Sequence, residues 1–331
     1  MDVFPAQYST LSSKALAEFL TIKYDLKNVT CRLLIHNVSD TYLLKTETIN
    51  YVFKVYRDSH RKLTEIKGEI ELLNLLFEGK ASVAHPIKDA EGKYIQSFNA
   101  VEGVRHGVMF SYALGTVVSD MNEEQLATVG KEMAKIHNIT STIELQSSRK
   151  EYSIDTMLLN PLAIFKPAFE DLKDEYIFLT QAVNQIAEKI SKLNLSKFSY
   201  GYCQYDFLPK NFHFDETGHL TFFDFDFAGK GHLINDIASF YIHYFLEVYY
   251  GKVTQEEADK AFAIFVKNYR KVRSLSDEEL AAIPYFGFAF WIFYLGFQYE
   301  NFDDWSNIFF GPKYLKDRTT LIKKWVELHI D

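Results

Sequence analysis

The stretch CQYDFLPKNFHF, residues 203–214, places an acid and an amide five positions apart. Asp206 supplies a carboxylate and Asn211 an amide oxygen, and Asp224 follows further along the chain. Amide and carboxylate oxygens are the ligands that Mg²⁺ prefers in proteins. A carboxylate that is not bound to the metal can accept a proton from a hydroxyl group. These residue types therefore indicate a site where a base works beside a divalent cation.

The segment between these side chains predicts a β-hairpin. Two short aromatic runs, KNFHF and HLTFFDFDF, flank the acidic, glycine-ended turn DETG. Because a tight hairpin returns the chain on itself, we expect Asp224 to lie close to Asn211. Asp226 is two residues beyond Asp224, and residues i and i+2 of a strand share a face. Metal ligation and a structural role are both open for Asp226.

A lysine in the first third of the chain offers positive charge for an anionic ligand. Lys54 lies in the middle of the predicted strand INYVFKVYR, with apolar neighbours on both sides. It therefore reaches solvent or points into a cleft. Glu69 lies near the start of the next predicted helix, in KGEIELLNLL. A Lys–Glu pair of this kind holds an ammonium group against a phosphate.

The elements that position these residues change in character along the chain. Strand patterns and one helix fill the first third of the chain, and helical patterns follow Gly115. Asp120 and Glu123 are predicted to form a capping box at the start of the first helix after Gly115. We predict an α+β, bilobal fold, with a small β-rich N-lobe at 1–109 and a larger, mainly helical C-lobe at 117–331. Residues 110–116 form the hinge, and a cleft between such lobes is a common ligand site.

Composition and charge narrow the class of protein. The 331 residues are 47% hydrophobic and 16% aromatic, enough for a large core. The net charge of −8 argues against a nucleic-acid binder. Residues 1–116 carry 14 basic and 13 acidic side chains, so the negative charge lies in the remainder. The negative charge of residues 117–331 has two interpretations: it attracts a cationic substrate, or it is the ordinary surface acidity of a protein.

Cysteine usage and hydropathy predict a cytoplasmic protein. Cys31 and Cys203 are distant in sequence and form no disulfide framework. The start, MDVFPAQYST, lacks the features of a signal peptide. The longest apolar run, residues 285–297, is too short to span a bilayer, so it predicts a buried helix and no membrane association.

At this point a family resemblance can be named. DFLPKN at 206–211 resembles the catalytic loop of the aminoglycoside phosphotransferase and choline kinase-like family, which has the protein-kinase-like fold. FFDFD at 222–226 resembles the acid of that family's metal site. The start of the family's next helix resembles NDIASF at 235–240. Its helix ending in Leu-His resembles EMAKIH at 132–137, and its interlobe connection resembles VMFSYALG at 108–115. The similarity covers roughly residues 30–245.

The resemblance implies an ATP- and Mg²⁺-dependent phosphotransferase that moves the γ-phosphate to a hydroxyl group of a small molecule. An amino sugar, choline, homoserine or a similar alcohol would be the acceptor. Asp206 would position or deprotonate the accepting hydroxyl, and Asn211 and Asp224 would bind Mg²⁺, with Asp226 as a third candidate ligand. Catalysis of this kind depends mostly on positioning and on stabilising charge.

The resemblance also implies how the nucleotide is held. Lys54 would contact the α- and β-phosphates, held in place by Glu69. Backbone groups around Ser111 and Ala113 would meet the adenine. The segment HNVSDTY at 36–42 has no glycine to form a phosphate loop, and the small Ser39 would serve instead.

Two residues depart from the family pattern. The family usually has His-Gly before the catalytic Asp, and this chain has Gln204 and Tyr205. Gln has donor and acceptor groups that can substitute for the histidine, whereas a bulky tyrosine in place of glycine can reshape the loop. A catalytically weak or inactive kinase-fold module that binds nucleotide or a partner is therefore the alternative. A protein Ser/Thr kinase of the same fold is a separate one, which the catalytic loop favours less because it is closer to the small-molecule kinases.

Other polar residues have simpler interpretations. Asp236 is expected to cap a helix next to the catalytic loop, and His137 is expected in the core. His213 and His219 flank the hairpin turn and are expected to be exposed. The aromatic residues at 285–305 are expected mainly in the core; the other interpretation is that part of this stretch, together with three nearby acids, lines an ammonium-binding acceptor pocket. These acids are Glu300, Asp303 and Asp304. The sequence leaves open the oligomeric state and the choice between ATP and GTP.

Overall fold

The computed structural model describes residues 6, 8–301 and 309–330. It divides the chain into two compact units. The first unit contains the chain up to Leu114, except for Gly79–Ser82, and also Leu145–Ser148. The second unit contains Gly79–Ser82, Gly115–Glu144 and the chain from Arg149. The main change of unit therefore falls between Leu114 and Gly115.

The first unit is built on an antiparallel sheet. Its alternating aromatic and β-branched residues suit a sheet that is packed on its faces. The strands are paired in the order β1-β2-β3-β6-β4, with β5 also paired to β6. They are β1 (Thr30–His36), β2 (Ser39–Lys45), β3 (Asn50–Tyr56), β4 (Pro86–Ile87), β5 (Ile95–Ala100) and β6 (Gly103–Ser111).

The described residues of this unit form two helices, where the sequence predicted one. Helix α2 (Leu63–Glu78) is the predicted helix, and α1 (Ser13–Lys23) precedes the sheet. The single-helix prediction was wrong because it overlooked an apolar stripe of helical spacing. Leu16 and Leu20 of α1 are buried in a cluster with Phe53 and other residues of the sheet. Burial of this face outweighs the weak tendency of an 11-residue helix to form alone.

The second unit is mainly helical and confirms the predicted α+β class. Its helices bury amphipathic faces around a shared core. They are α3 (Glu123–Thr140), α4 (Asn160–Ile164), α5 (Lys173–Ser191), α6 (Ile234–Tyr249), α7 (Gln255–Tyr269), α8 (Asp277–Asn301) and α9 (Pro312–His329). Its strands are β7 (Lys150–Glu151), β8 (Tyr200–Cys203), β9 (Phe212–Phe214), β10 (Leu220–Phe222) and β11 (Gly229–His232). β9 and β10 form the predicted hairpin, and β11 lies between β7 and β8.

Helix α8 is the core helix that the sequence predicted. By length and hydropathy it is long and apolar enough to cross a membrane, but 72% of its most apolar window is buried inside the protein. Gly287 allows the close approach of α9, because a Cβ at that position would lie 2.4 Å from the Trp325 ring. The Trp325 indole also donates a hydrogen bond to the Pro284 carbonyl at 3.0 Å. Close packing of α8 and α9 thus accounts for the apolar run.

Helix α3 begins later than predicted. Asn122 and Gln125 form the capping box, with reciprocal hydrogen bonds of 2.9 and 3.0 Å, so the predicted pair Asp120–Glu123 was wrong. Both pairs in SDMNEEQ have the spacing of a capping box. The spacing by itself therefore does not separate the two registers.

Candidate active site

The loop at residues 204–211 is held by the first turns of helix α6. The Asp236 carboxylate accepts hydrogen bonds from the Gln204 amide at 3.0 Å and from the Tyr205 amide at 2.6 Å. The Ser239 hydroxyl accepts one from the Phe207 amide at 3.0 Å. Asp236 was expected to cap a helix, but it makes no such cap. Instead, it satisfies buried backbone donors of the loop, which cost free energy when left unpaired.

Asp236 is itself fixed by a buried histidine. His137 Nε2 lies 3.0 Å from the Asp236 carboxylate, and His137 Nδ1 lies 2.7 Å from the Tyr269 hydroxyl. His137 and Asp236 are fully buried, which confirms the expected core position of His137. The loop therefore takes its shape from α3, α6 and α7 together, and a buried polar network of this kind specifies one arrangement.

The Asp206 carboxylate has one occupied and one open oxygen. Its Oδ2 accepts a hydrogen bond from Asn211 Nδ2 at 2.9 Å and lies 2.9 Å from the Lys210 ammonium. Asp206 Oδ1 is buried and has no hydrogen-bond partner among the described residues. A buried acceptor in this state costs free energy, which a hydroxyl donor from a ligand would recover. Oδ1 is thus open to a hydrogen-bond donor.

The charges around Asp206 oppose one another. Burial raises the pKa of Asp206, the Lys210 ammonium lowers that pKa, and the Asp224 carboxylate raises it further. Burial lowers the pKa of Lys210, but Asp206, Tyr294 and Asp224 raise it, and together they outweigh burial, so the net shift is upward. Both net shifts are upward. Lys210 therefore stays protonated, and Asp206 binds a proton more tightly than an ordinary carboxylate does.

The hairpin brings Asp224 to Asn211, as the sequence predicted. The Phe223 amide donates to the Asn211 carbonyl at 2.9 Å, and the adjacent Asp224 side chain is exposed. Strand β10 ends at Phe222, and Asp224 has a left-handed φ of 58°. The expectation that Asp224 and Asp226 share a strand face was wrong, because both follow the strand. Asp226 is buried in a turn.

The oxygen donors here fit a magnesium ion bound with a nucleotide. Among the described residues, no three His, Cys, Asp or Glu side chains converge as a metal cluster. Mg²⁺ bound with nucleotide phosphates needs only one or two protein carboxylates and retains several waters. The Asn211 nitrogen is directed to Asp206, which leaves its amide oxygen as the donor beside the exposed Asp224 carboxylate.

Gln204 replaces the hydrogen bonds expected of the family's histidine. Its Nε2 donates to the Phe223 carbonyl at 2.8 Å and to the Asp224 carbonyl at 3.3 Å. These contacts link the loop of Asp206 to the backbone that carries Asp224. The amide nitrogen has two N–H donors and is suited to this bridge, whereas Gln204 Oε1 is buried without a partner among the described residues.

Tyr205 occupies the backbone conformation that explains the family's usual glycine. Its φ is 70°, in the left-handed region that disfavours most side chains. The ring is buried and stacked on Tyr152, with centroids 3.7 Å apart, and meets Phe293 edge-on at 4.8 Å. Aromatic packing therefore offsets the backbone strain.

We expect Tyr205→Gly to destabilise the protein, although glycine suits the backbone better. Relief of the left-handed strain is worth about 1–2 kcal/mol, whereas loss of a buried aromatic ring costs about 3–5 kcal/mol. The midpoint of denaturant unfolding should fall. Tyr205→Phe is the control, because the Tyr205 hydroxyl has no partner among the described residues. A higher midpoint for Tyr205→Gly than for Tyr205→Phe would contradict this assignment.

In the first unit, Lys54 and Glu69 form the predicted pair. The Lys54 ammonium lies 4.0 Å from Glu69 Oε1, and both residues are buried. The strand register pairs Thr41 with Lys54 and Ser39 with Tyr56. Directly opposed residues share a face of the sheet, as do residues i and i+2. Ser39 is therefore on the face that carries Lys54.

The β1–β2 turn beside Ser39 is anchored by a buried ion pair that sequence reasoning missed. Asp40 is fully buried, 2.9 Å from Arg105 Nη1, and it accepts a hydrogen bond from the Tyr8 hydroxyl at 2.7 Å. His36 Nδ1 lies 2.6 Å from the same carboxylate. Arg105 is far from Asp40 in sequence, so no local pattern indicates the pair.

Arg105→Met should be strongly destabilising because it leaves the Asp40 carboxylate buried without its cation. Breaking a buried pair from one side costs about 3–5 kcal/mol, and the unfolding midpoint should fall accordingly. Lys93→Met is the matched control, because Lys93 pairs with Glu91 on the surface and should leave the midpoint unchanged. Equal midpoints for the two variants would show that the Arg105 pair does not stabilise the fold.

Ser111 and Ala113 lie where β6 ends and the chain leaves the sheet. The Ser111 amide donates to the His85 carbonyl at 2.9 Å, and its hydroxyl accepts from the His85 amide at 3.0 Å. Ala113 is buried in the segment after the strand. Their roles at the adenine stay predictions.

Other predicted residues contribute less to this picture. His219 is exposed as expected, whereas His213 is half-buried. Cys203 is fully buried, and burial raises the pKa of its thiol, which makes it unreactive. Glu300 is exposed near the end of α8. Asp303 and Asp304 lie outside the described residues.

Two further residues shape the site without having been singled out in the sequence. Arg149 donates through Nε to the Ala228 carbonyl at 2.7 Å and through Nη2 to the Asp226 carbonyl at 2.6 Å, so it holds the turn after Asp224. No local signal indicates Arg149. Lys210 stands four residues after Asp206, but only Pro209–Asn211 is helical and Leu208 is extended, so helical spacing does not predict their contact either.

Comparisons with known proteins agree with this arrangement. Residues 30–275 match the phosphotransferase enzyme family. An uncharacterized protein of Synechocystis is 29% identical over 241 residues, 72% of this chain and 67% of the relative. Amicoumacin kinase of Bacillus subtilis is 26% identical over 246 residues, 71% of this chain and 70% of that enzyme.

Solved structures show the fold. The amicoumacin kinase hAmiN, in complex with AMP-PNP, Ca²⁺ and Ami, has a TM-score of 0.76 at 23% identity, covering 95% of this chain and 94% of that one. A microcompartment-associated aminopropanol kinase has a TM-score of 0.75 at 18% identity, covering 96% of both chains. The predicted protein-kinase-like fold is thus confirmed. The family match spans most of the sequence, and the protein therefore belongs to the phosphotransferase enzyme family, as a small-molecule kinase-like phosphotransferase.

Proposed function

We propose that the protein transfers the γ-phosphate of ATP to a hydroxyl group of a small amino alcohol or amino sugar, with Mg²⁺ as the metal. The observation that carries this proposal is the carboxylate of Asp206. One of its oxygens is held by Asn211 and Lys210, and the other is buried and open among the described residues. An acceptor hydroxyl that donates to the open oxygen satisfies it and is positioned for attack.

The roles of the remaining residues follow from their chemistry. Asn211 and Asp224 would hold Mg²⁺, which neutralises phosphate charge when bound. Lys54 would contact the α- and β-phosphates, oriented by Glu69. Ser39 would approach the phosphates from the start of β2, and the chain around Ser111 and Ala113 would meet the adenine. Asp226 is proposed to shape the backbone turn that follows Asp224, and direct ligation of Mg²⁺ is the alternative role.

The chemical step redistributes a proton and a phosphoryl group. The acceptor oxygen forms a bond to the γ-phosphorus, and the bond from that phosphorus to the β–γ bridging oxygen breaks. The electron pair of the broken bond stays on ADP. The acceptor proton passes to Asp206 Oδ1 and then to solvent.

The acceptor class rests on the chemistry of the second unit and on the named relatives. An aminopropanol kinase and a choline kinase share the fold, and both of their substrates carry a hydroxyl and a cationic nitrogen. The second unit carries the negative charge of this chain and has aromatic rings of α8 near the loop, such as Phe290 and Tyr294. Aromatic faces and carboxylates attract ammonium groups.

The two free cysteines support a cytoplasmic location.

A binding module without turnover is the second candidate, suggested by Gln204 and Tyr205. Gln204 makes backbone hydrogen bonds to the metal loop, and Tyr205 is accommodated by stacking. Both observations favour an intact loop and therefore an enzyme.

A phosphoryl-transfer screen tests the proposal. The full chain is incubated with ATP and Mg²⁺ and with 1-amino-2-propanol, choline, homoserine or aminoglycosides, while ADP release and phosphorylated product are measured. We expect acceptor-dependent ADP release with at least one amino alcohol or amino sugar. ATP binding without any turnover, in the screen and in the absence of acceptor, would support the binding module instead.

A further inference from the structure

Lys210 places a cation at the atoms where phosphoryl transfer is proposed to occur. It belongs to the single helical turn Pro209–Asn211, directly after Pro209 and directly before Asn211. Its ammonium lies 2.9 Å from Asp206 Oδ2 and 5.8 Å from the centre of the Tyr294 ring. Proline fixes the backbone at the start of this turn. The backbone of Lys210 is therefore fixed directly beside that of Asn211.

Lys210 and Asn211 both contact the same oxygen of the Asp206 carboxylate. Asp206 Oδ2, the oxygen beside Lys210, already accepts a hydrogen bond from the Asn211 amide. The oxygen that lacks a partner among the described residues is Oδ1. With Lys210 and Asn211 both at Oδ2, Oδ1 stays open for the acceptor hydroxyl.

The exposure of Lys210 leaves its ammonium available to a ligand. Its side chain is 50% exposed, whereas that of Asp206 is 7% exposed. An ammonium group has three N–H donors, and Asp206 Oδ2 engages one of them. Asp224, the proposed metal ligand, acts electrostatically on the same ammonium. Lys210 thus lies among the groups that surround the phosphoryl group in transit.

We propose that Lys210 is a catalytic residue that donates hydrogen bonds both to Asp206 Oδ2 and to a non-bridging oxygen of the transferred phosphoryl group. This assignment rests on the proposed function. While the acceptor oxygen forms its bond and the bridging oxygen of ADP departs, negative charge is spread over the non-bridging oxygens. A preorganised ammonium stabilises that charge in the transition state. Lys210 keeps its own proton throughout, and the acceptor proton goes to Asp206.

The substitution Lys210→Met tests the proposal. The full chain is assayed with ATP and Mg²⁺, once with 1-amino-2-propanol and once with water as the acceptor. In both assays kcat should fall about 100–1,000-fold. The KM for ATP should stay within about threefold, because a contact made mainly in the transition state affects kcat. Lys252→Met is the matched control, since Lys252 pairs with Glu247 at 2.9 Å on the surface of the same unit. It should retain wild-type kcat.

Chemical restoration of the charge separates catalysis from folding. Lys210→Cys, alkylated with 2-bromoethylamine, regenerates an ammonium at nearly the same distance from the backbone. We expect kcat to recover at least tenfold over the unmodified variant. Wild-type protein is alkylated in parallel, because Cys31 is partly exposed. Failure of the alkylated variant to recover, with its melting temperature unchanged, would refute a catalytic charge at this position.

The outcomes distinguish this inference from the proposed function. Wild-type turnover together with wild-type kcat in Lys210→Met would overturn the role of Lys210 and leave the phosphotransferase proposal standing. Absence of turnover in the wild type, with water and with every acceptor in the screen, would overturn both. Equal losses of kcat in Lys210→Met and Lys252→Met would show a nonspecific effect of lost charge and would also count against the inference.

Discussion

Asp206→Asn should abolish phosphoryl transfer and leave ATP binding intact. The substitution keeps the size of the side chain but removes the carboxylate, whose open Oδ1 is proposed to accept the hydroxyl proton. A positioned general base contributes about 10²–10⁴-fold to the rate, so kcat should fall by at least that factor. Asp206 binds neither nucleotide nor metal in the proposed arrangement, and the Kd for Mg·ATP should stay within about threefold.

The measurements are kcat from ADP release and the Kd for Mg·ATP from calorimetry. Glu216→Gln is the matched control, because Glu216 is an exposed acid in the β9–β10 turn of the same hairpin. It removes the same charge and should retain wild-type kcat. Full turnover by Asp206→Asn would disprove the assigned role.

The second large effect concerns the metal. Asp224→Asn should remove the Mg²⁺-dependent part of ATP binding, because it replaces the exposed carboxylate of the proposed donor set. Mg²⁺ has few protein ligands in nucleotide sites, so loss of one carboxylate removes a large share of its binding energy. A ligand that binds the native state raises the melting temperature in proportion to the logarithm of its concentration over Kd. The variant should therefore lose the increase in melting temperature that Mg·ATP causes.

The experiment compares the melting temperatures with ATP and EDTA and with ATP and Mg²⁺. Wild-type protein should show a difference between the two conditions, and Asp224→Asn should show almost none. Glu188→Gln on α5 is the control, because Glu188 is an exposed acid paired with Lys192. An undiminished Mg²⁺-dependent difference in Asp224→Asn would exclude Asp224 as a ligand.

Local patterns predicted much of the fold. The hairpin that returns Asp224 to Asn211 follows from two short runs and a turn, all within a few residues of each other. The paired Lys54 and Glu69 follow from a strand and a helix adjacent in the chain. Helix α1 was overlooked although its apolar stripe is visible in the sequence.

The sequence by itself determined which side chains can do the chemistry, because residue type and local spacing depend only on neighbours in the chain. The tertiary structure decided how those side chains are held. Asp236 is 99 residues from His137, and Asp40 is 65 residues from Arg105, so no local pattern records either contact. The tolerance of Tyr205 for a left-handed φ depends on Tyr152 and Phe293, which reach it only through the fold. The free energy of such contacts comes from burial and pairing between distant segments, and it exists only once the chain has folded.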